Sequence, residues 1–412
     1  MPGRADLAER FRRVRQQSRC IANPLSAEDC CVQSMPDASP IKWHLAHTSW
    51  FFETFLLERF EPGFRAYHPQ FRVLYNSYYE GVGDKFPRPQ RGLLTRPSLD
   101  EVQAYRTDVD RRMLRLIDAL EAGDAVDNTG PAQEELSALL ELGLQHEQQH
   151  QELMLTDIKH LLSLNPLQPA YQRLPDPMLP GECDDTPLYW HDIAAGVVGI
   201  GHAGHEGEGF CFDNERPRHR QFVEAYRCAS RLVSNGEYRA FIEAGGYDES
   251  ALWLSEGWEW KKQLGLAQPL YWQRDATGQW REFTEYGLLP LAPHRAVVHL
   301  SYYEADAYAR WAGARLLTEA EWEHAAASLG SAVGDFFGVA WQWTSSSYAP
   351  YPGYRAPKGA VGEYNGKFMV NQYVLRGASA ATPLHHARLT YRNFFPASAR
   401  WQYTGIRLAR SA

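Results

Sequence analysis

The stretch HEQQHQELMLTDIKH, residues 146–160, sets two histidines four residues apart and surrounds them with glutamine and glutamate. A helix advances about 100° per residue, so His146 and His150 stand roughly 40° apart on one face and can point at one object. His160 falls well round the helix and is not expected to share it. Glu147 and Glu152 read as solvated or supporting groups, because helix surfaces are Glu-rich. The question is whether the object is a metal, and which fold would carry it.

Flanking residues lengthen the helix to AQEELSALLELGLQHEQQHQELMLTDIKHLLSL, the longest helical segment of the first 165 residues. Three others precede it. DLAERFRRVRQQSRCIA is amphipathic. SPIKWHLAHTSWFFETFLLERF starts at Ser39-Pro40 and stays apolar over about five turns. SLDEVQAYRTDVDRRMLRLIDALEAG opens with Ser98 and Glu101 in capping-box spacing and closes near a glycine. Together they predict an antiparallel four-helix bundle over 1–165, with sites built from facing helices. The run 166–184 holds Pro166, Pro169, Pro175, Pro177 and Pro180 and reads as a linker. From 185 to 412 short apolar pieces alternate with Gly, Asn, Asp and Pro. That texture predicts an α+β domain with two helices, SNGEYRAFIEAG and SYYEADAYARWAG.

Composition narrows the function classes. A chain of 412 residues suits two domains, and 44% hydrophobic with 22% charged residues is ordinary for a globular protein. The net charge of −8 argues against a nucleic-acid partner. With 13 Trp and 22 Tyr, shaped pockets are expected rather than a long helical array. The cysteines (Cys20, Cys30, Cys31, Cys183, Cys211, Cys228) show no CxxC and read as reduced thiols. The N-terminus is charged without an apolar signal core, and no stretch approaches the ~18 apolar residues of a membrane span. A cytoplasmic protein without a membrane partner is expected.

Histidine is the commonest nitrogen ligand for iron, zinc, copper and nickel. An i, i+4 pair supplies two neighbouring positions, and a third ligand must come from a facing helix. WHLAH offers His44 and His47, and His47 is favoured because it lies one turn deeper into apolar sequence. Three histidines without a carboxylate would leave about three positions of an octahedral iron open, as oxygen and a substrate require. A lone histidine pair on a helix is more often decoration than ligation. The third histidine brings the two readings level. Gln149, directly before His150, is placed to reach a ligand near the metal.

The tetrapeptide SYYE occurs twice. At 301–304 it precedes a helix, with Ser301 and Glu304 in capping-box spacing. At 77–80 it precedes GVGDKFPRPQRG, in which no helix can follow. Loops on a rigid scaffold often carry function, and a phenol near an oxygen-binding metal can donate a proton or an electron. On the residues alone, packing remains the simpler role for Tyr78 and Tyr79.

SPIKWHLAHTSWFFETF, YNSYYEGVG, RPQRGLLTRPS, LGLQHEQQHQELMLTDIKH, FDNERPRH, NGEYRAFIEAGGY, WLSEGWEW and GEYNGKFMVNQYVLRGAS…YRNFFPASARWQYTGIRLAR resemble the ergothioneine-type sulfoxide synthases, from about residue 10 to the C-terminus. The resemblance implies a DinB-like four-helix bundle followed by a formylglycine-generating-enzyme/C-type-lectin-like domain. It implies Fe(II) held by His47, His146 and His150. It implies oxidative joining of a chalcogen donor to imidazole C2 of hercynine, using O2. Gln149 and Asn393 match positions near that substrate, and Phe394 and Phe395 line the same motif, where aromatic faces suit a quaternary ammonium. In one branch the loop tyrosines serve the reaction, so the resemblance assigns Tyr78 and Tyr79 to proton or electron supply. Arg91 and Arg96 could hold an anionic co-substrate or serve as structural ion pairs.

Two departures bear on the donor. GVAWQWTSS, 338–346, carries Gln342 where the family pattern has a carboxylate, and RGASAAT, 376–382, carries Ala380 in place of a cysteine. They turn expectation from a cysteine-based donor toward a selenosugar and selenoneine synthesis, with Gln342 as a substrate contact. A DinB-type zinc thiol transferase would use the same histidines without O2. A formylglycine-generating enzyme would need a late cysteine pair, and none follows Cys228. A lectin-like binder with a closed structural metal would need four protein ligands.

Overall fold

Four long helices make up most of the first unit of the structure, a computed structural model that describes residues 7–122, 130–173, 186–204, 209–330 and 333–412. They are α1 (Leu7–Ala22), α2 (Ile41–Phe52), α3 (Leu99–Ala122) and α4 (Gly130–Ser163). Every residue of α2 is buried, which is what a helix apolar all round requires. Pro40 stands at its start, and the helix continues through a wider π segment, Glu53–Leu57, and a last turn to Phe60. The capping box ahead of α3 forms: Ser98 N–H donates to Glu101 at 2.7 Å, and Glu101 N–H donates to Ser98 Oγ at 3.2 Å.

Glu147 is not a solvated group. It is fully buried, its carboxylate accepts from Ser18 Oγ at 2.6 Å and from Arg15 at 2.9 Å, and Arg106 of α3 also donates to it. Arg106 further bonds Thr48 Oγ1 at 2.9 Å. One carboxylate thereby ties all four helices together beside His146. Burial alone would raise its pKa, but the two guanidinium groups outweigh that and hold it down to about 2.

Gly143, one turn before His146, lets α4 approach α2 closely. A Cβ there would lie 2.6 Å from Phe52 Cε1 and 3.2 Å from Phe51 Cε1. Gly143→Ala would gain about 1 kcal/mol of helix propensity. Overpacking against two buried rings costs about 1–3 kcal/mol, so a net loss and a lower melting temperature are expected. A higher melting temperature in thermal unfolding would show that the helices do not need this approach.

Residues Met1–Pro166 group with Lys358–Tyr364 as one unit, and Leu167–Pro357 with Asn365–Ala412 as the second. The short segment 358–364 therefore belongs with the bundle, although it lies late in the chain. Two backbone donors of the tyrosine loop hold it: Glu80 N–H and Gly81 N–H bond the Glu363 carboxylate at 3.0 and 2.7 Å. Part of the proline-rich run, 174–184, lies outside the described residues, as does Cys183.

The second unit carries thirteen strands among the described residues. β1 (Trp190–Ile193), β4 (Tyr226–Ala229), β13 (Leu408–Ser411) and β8 (Arg315–Leu316) form one sheet in that order. β11 (Asn393–Phe395), β10 (Tyr373–Gly377), β9 (Trp341–Ser347) and β12 (Thr404–Gly405) form another. β2 (Gly196–Ile200) pairs β3 (His219–Val223), and β5 (Trp272–Arg274), β6 (Trp280–Thr284) and β7 (Gly287–Pro290) make a three-stranded meander. The two expected helices are present, α5 (Asn235–Glu243) and α7 (Tyr302–Trp311), each opened by a capping box, Ser234–Glu237 and Ser301–Glu304. Two more were not expected. α6 (Ser255–Leu264) has no side-chain cap, which hides its start. α8 (Glu319–Leu329) carries a legible Thr318–Glu321 box.

Candidate metal centre

His47 on α2 and His146 and His150 on α4 each offer one nitrogen within 4.8 Å of the others. Among the described residues they form the metal-competent cluster. The i, i+4 spacing places the α4 pair, and the close approach at Gly143 brings His47 to meet them. His47 and His146 are buried, and His150 is half-buried. Trp43 stacks on His47 with centroids 4.6 Å apart, Trp50 lies 5.4 Å from it, and Phe51 stacks on His146 at 4.5 Å. These rings fix the imidazoles and keep water off their faces.

Hydrogen parity shows which nitrogens are available. The Tyr75 carbonyl can only accept, so His47 donates to it from Nδ1 at 2.7 Å and keeps a lone pair on Nε2. That Nε2 faces His146 Nε2 at 3.1 Å. His146 Nδ1 is buried without a partner among the described residues. Burial disfavours the charged form of all three. It holds His146 down to about 3 against the opposing pull of Glu147, and His47 and His150 well below the ordinary imidazole value. Neutral imidazoles are the state in which histidine binds a metal. Three neutral nitrogen donors with no carboxylate among them suit a borderline cation such as Fe(II) or Zn(II).

The tyrosine loop belongs to the same unit. Asn76, fully buried, donates from its amide to the carbonyls of Tyr79, Gly83 and Asp84 at 3.0–3.2 Å and accepts from Tyr79 N–H at 3.1 Å. This staple fixes Tyr79 against Trp50 and Phe55, with ring centroids 5.6 and 5.2 Å away. Tyr78 stacks on Tyr79 at 4.5 Å, and their hydroxyls are 3.4 Å apart. Burial, with Tyr78 adding to it, raises the Tyr79 phenol well above its ordinary value, so it stays protonated.

Sequence reading missed Tyr364. Its hydroxyl donates to Gln149, and its ring lies 5.8 Å from that of His146. No local pattern in GEYNGKF marks it. The backbone bonds from the tyrosine loop to Glu363 hold its segment here.

Arg91 is buried with its Cζ 3.4 Å from the centroid of Trp43, the ring that stacks on His47. Its Nη1 donates to Ser39 Oγ at 2.9 Å. Arg96 is exposed, and its guanidinium bonds the carbonyl of Thr95 at 3.3 Å. Nothing desolvates it, so an anion there would compete with water; the structure favours Arg91 over Arg96 as an anion contact.

The remaining residues belong to the second unit. Asn393, Phe394 and Phe395 form β11 and are half-buried. Phe394 stacks on Tyr348 with centroids 4.0 Å apart and on Phe368 at 6.0 Å, an aromatic shelf. Gln342 does not fit a substrate contact. It is fully buried, its Oε1 accepts from Trp322 at 2.7 Å and Arg407 at 2.9 Å, and its Nε2 donates to the carbonyls of Asp335 and Phe336 at 2.9 and 3.0 Å. A glutamate there could not donate to those carbonyls. The change at 342 answers to the core of this domain.

Residues 10–154 match the DinB superfamily, and residues 192–334 match the Sulfatase-modifying factor enzyme 1-like domain. The expected pairing of a DinB-like bundle with a formylglycine-generating-enzyme-like domain is therefore met. Over 99% of its length the chain is 30% identical to a Mycolicibacterium thermoresistibile protein named hercynine oxygenase, covering 95% of that protein. It is 31% identical to a protein of the same name in Mycobacterium tuberculosis, covering 98% of each chain. Over 49% of its length it is 28% identical to ergothioneine biosynthesis protein 1 of Schizosaccharomyces pombe, covering 28% of that longer protein. No helix among the described residues is long and apolar enough to cross a membrane.

Proposed function

Because this chain belongs to the hercynine oxygenase family, we propose that it joins a chalcogen donor to imidazole C2 of hercynine, using Fe(II) and O2, with a selenosugar as donor, for which Ala380 in place of a cysteine is the remaining departure. It is an enzyme, and its chemistry is oxidative and concerns hercynine. The observation that carries the reading is the cluster of three neutral imidazoles with no carboxylate among them. His47, His146 and His150 would hold the iron. The chemistry iron supplies is electron transfer to dioxygen, which side chains cannot perform.

The chain's own groups do the rest. Trp43, Trp50 and Phe51 wall the histidines and exclude water. Tyr364 and Gln149 place a hydroxyl and an amide beside His146. Tyr78 and Tyr79 place two further phenols on the stapled loop, their hydroxyls 3.4 Å apart. The phenols supply the proton or electron that completes the reaction; the Tyr364 ring lies 5.8 Å from that of His146. The half-buried Asn393 and the Phe394 shelf with Tyr348 offer an amide and aromatic faces to a quaternary ammonium. Arg91 offers a charge to a carboxylate.

Two experiments test this. Protein loaded anaerobically with Fe(II) is given hercynine, O2 and one donor at a time: cysteine, γ-glutamylcysteine, a thiosugar or a selenosugar. A selenium-bearing hercynine adduct found by mass spectrometry only with the selenosugar is the expected result. A sulfoxide adduct from a cysteine-based donor would make this an ergothioneine-pathway enzyme, the reading favoured by the yeast relative's name. Tyr364→Phe is expected to slow turnover roughly a hundredfold or redirect the product, the usual scale for losing a positioned acid. Unchanged rate and product would return Tyr364 to packing.

A further inference from the structure

His44 faces the metal-binding histidines without being one of them. Its Nε2 lies 3.0 Å from Asp157 Oδ2, and its Nδ1 lies 2.8 Å from His150 Nδ1. Asp157 stands seven residues after His150, two turns along the same face of α4. The Ser39 N–H also donates to Asp157 Oδ2, at 2.8 Å, and fixes that carboxylate. His44 and Asp157 are both buried. The row Asp157–His44–His150 therefore runs between α2 and α4 and ends at a candidate ligand.

Hydrogen parity gives the row a direction. The carboxylate only accepts, so His44 carries its hydrogen on Nε2 and a lone pair on Nδ1. His150 must then donate from Nδ1, which leaves its lone pair on Nε2. With the row reversed, Nε2 of His150 would carry a hydrogen and could not bind a cation. We propose that His44, oriented by Asp157, is a positioning residue that fixes the tautomer and ring orientation of His150 so that Nε2 is presented to the metal. The inference rests on the triad reading above. Such partners of a ligating histidine typically change metal affinity 10–100-fold when removed.

A pair of substitutions separates positioning from packing. His44→Asn keeps an acceptor near the Nδ1 position but loses ring volume; His44→Phe keeps the volume and loses the acceptor. The measurements are Co(II) affinity of the metal-free protein, the visible ligand-field spectrum of the Co(II) form, and apo melting temperature. Expected is about 10–100-fold weaker binding with an altered spectrum for His44→Phe. His44→Asn should stay within a few-fold of wild type. Equal loss in both variants, greater loss in His44→Asn, or wild-type binding in His44→Phe would each overturn the inference. His150→Ala is the control: if it binds Co(II) as wild type does, the triad reading itself falls.

Discussion

Replacing His146 with alanine is expected to leave a folded protein that no longer holds the proposed iron under turnover conditions. A structural zinc site with four ligands is worth about 10–16 kcal/mol, or roughly 2.5–4 kcal/mol per ligand. Losing one of three donors should weaken affinity on the order of 100–1000-fold, and turnover should fall with iron occupancy. The effect on folding is small by comparison, because two terms oppose each other. Deleting a ring that stacks on Phe51 at 4.5 Å removes buried contact. It also removes a buried Nδ1 that has no partner among the described residues, which costs free energy to keep. Neighbouring Glu147 still ties α1, α2 and α3 to α4. Iron retention against a chelator and the apo melting temperature check both halves. A variant that retains stoichiometric iron would remove His146 from the site. One that fails to fold would make it a core residue instead.

The histidine cluster was legible because its signal is local. The His146–His150 spacing marks one helix face, and WHLAH sits on a segment too apolar to be anything but buried. The choice of His47 over His44 was also open to a sequence argument, by depth along α2. What His44 does was not, because its partners lie 106 and 113 residues away. Long-range contacts account for the other misses. Glu147 looks like any surface glutamate until Arg15 and Arg106 arrive from other helices. Tyr364 joins the bundle from a point late in the chain. Gln342 stood out as a departure from a family pattern, but a departure does not reveal direction, and this side chain turns into the core. In the second unit Ser234, Ser301 and Thr318 all begin helices in the same way, so α8 was as readable as α5 and α7. The uncapped α6 was not.

Arg91 carries the other large expected effect, and its two consequences have opposite signs. Its Nε and Nη2 are buried without partners among the described residues, although Nη1 is bonded to Ser39. Burial, reinforced by Arg88, pulls its pKa down to about 8, and Asp157 only partly offsets this. A guanidinium resists losing its proton, so the relief open to it is an anion. Nε–H and Nη2–H are the side-on pair that a carboxylate grips with two parallel bonds. The protein thus keeps an only partly compensated charge that a substrate carboxylate would satisfy. Arg91→Met should remove that strain, worth about 1–3 kcal/mol, less about 0.5–2 kcal/mol of stacking on Trp43. The metal-free protein should melt at or slightly above the wild-type temperature. Losing a buried charged contact to substrate costs about 2–5 kcal/mol, so kcat/KM should fall roughly 30- to several-thousandfold. Arg91→Lys keeps the charge without the fork and should fall between the two. A structural arginine would behave differently: its loss would lower melting temperature and activity together. Parallel declines in Arg91→Met would therefore count against an anion site, whereas a more stable, nearly inactive variant would support it. With a neutral selenosugar as donor, the carboxylate Arg91 meets would be that of hercynine, and the defect should appear with every donor offered. A defect confined to cysteine-based donors would place Arg91 on the donor side.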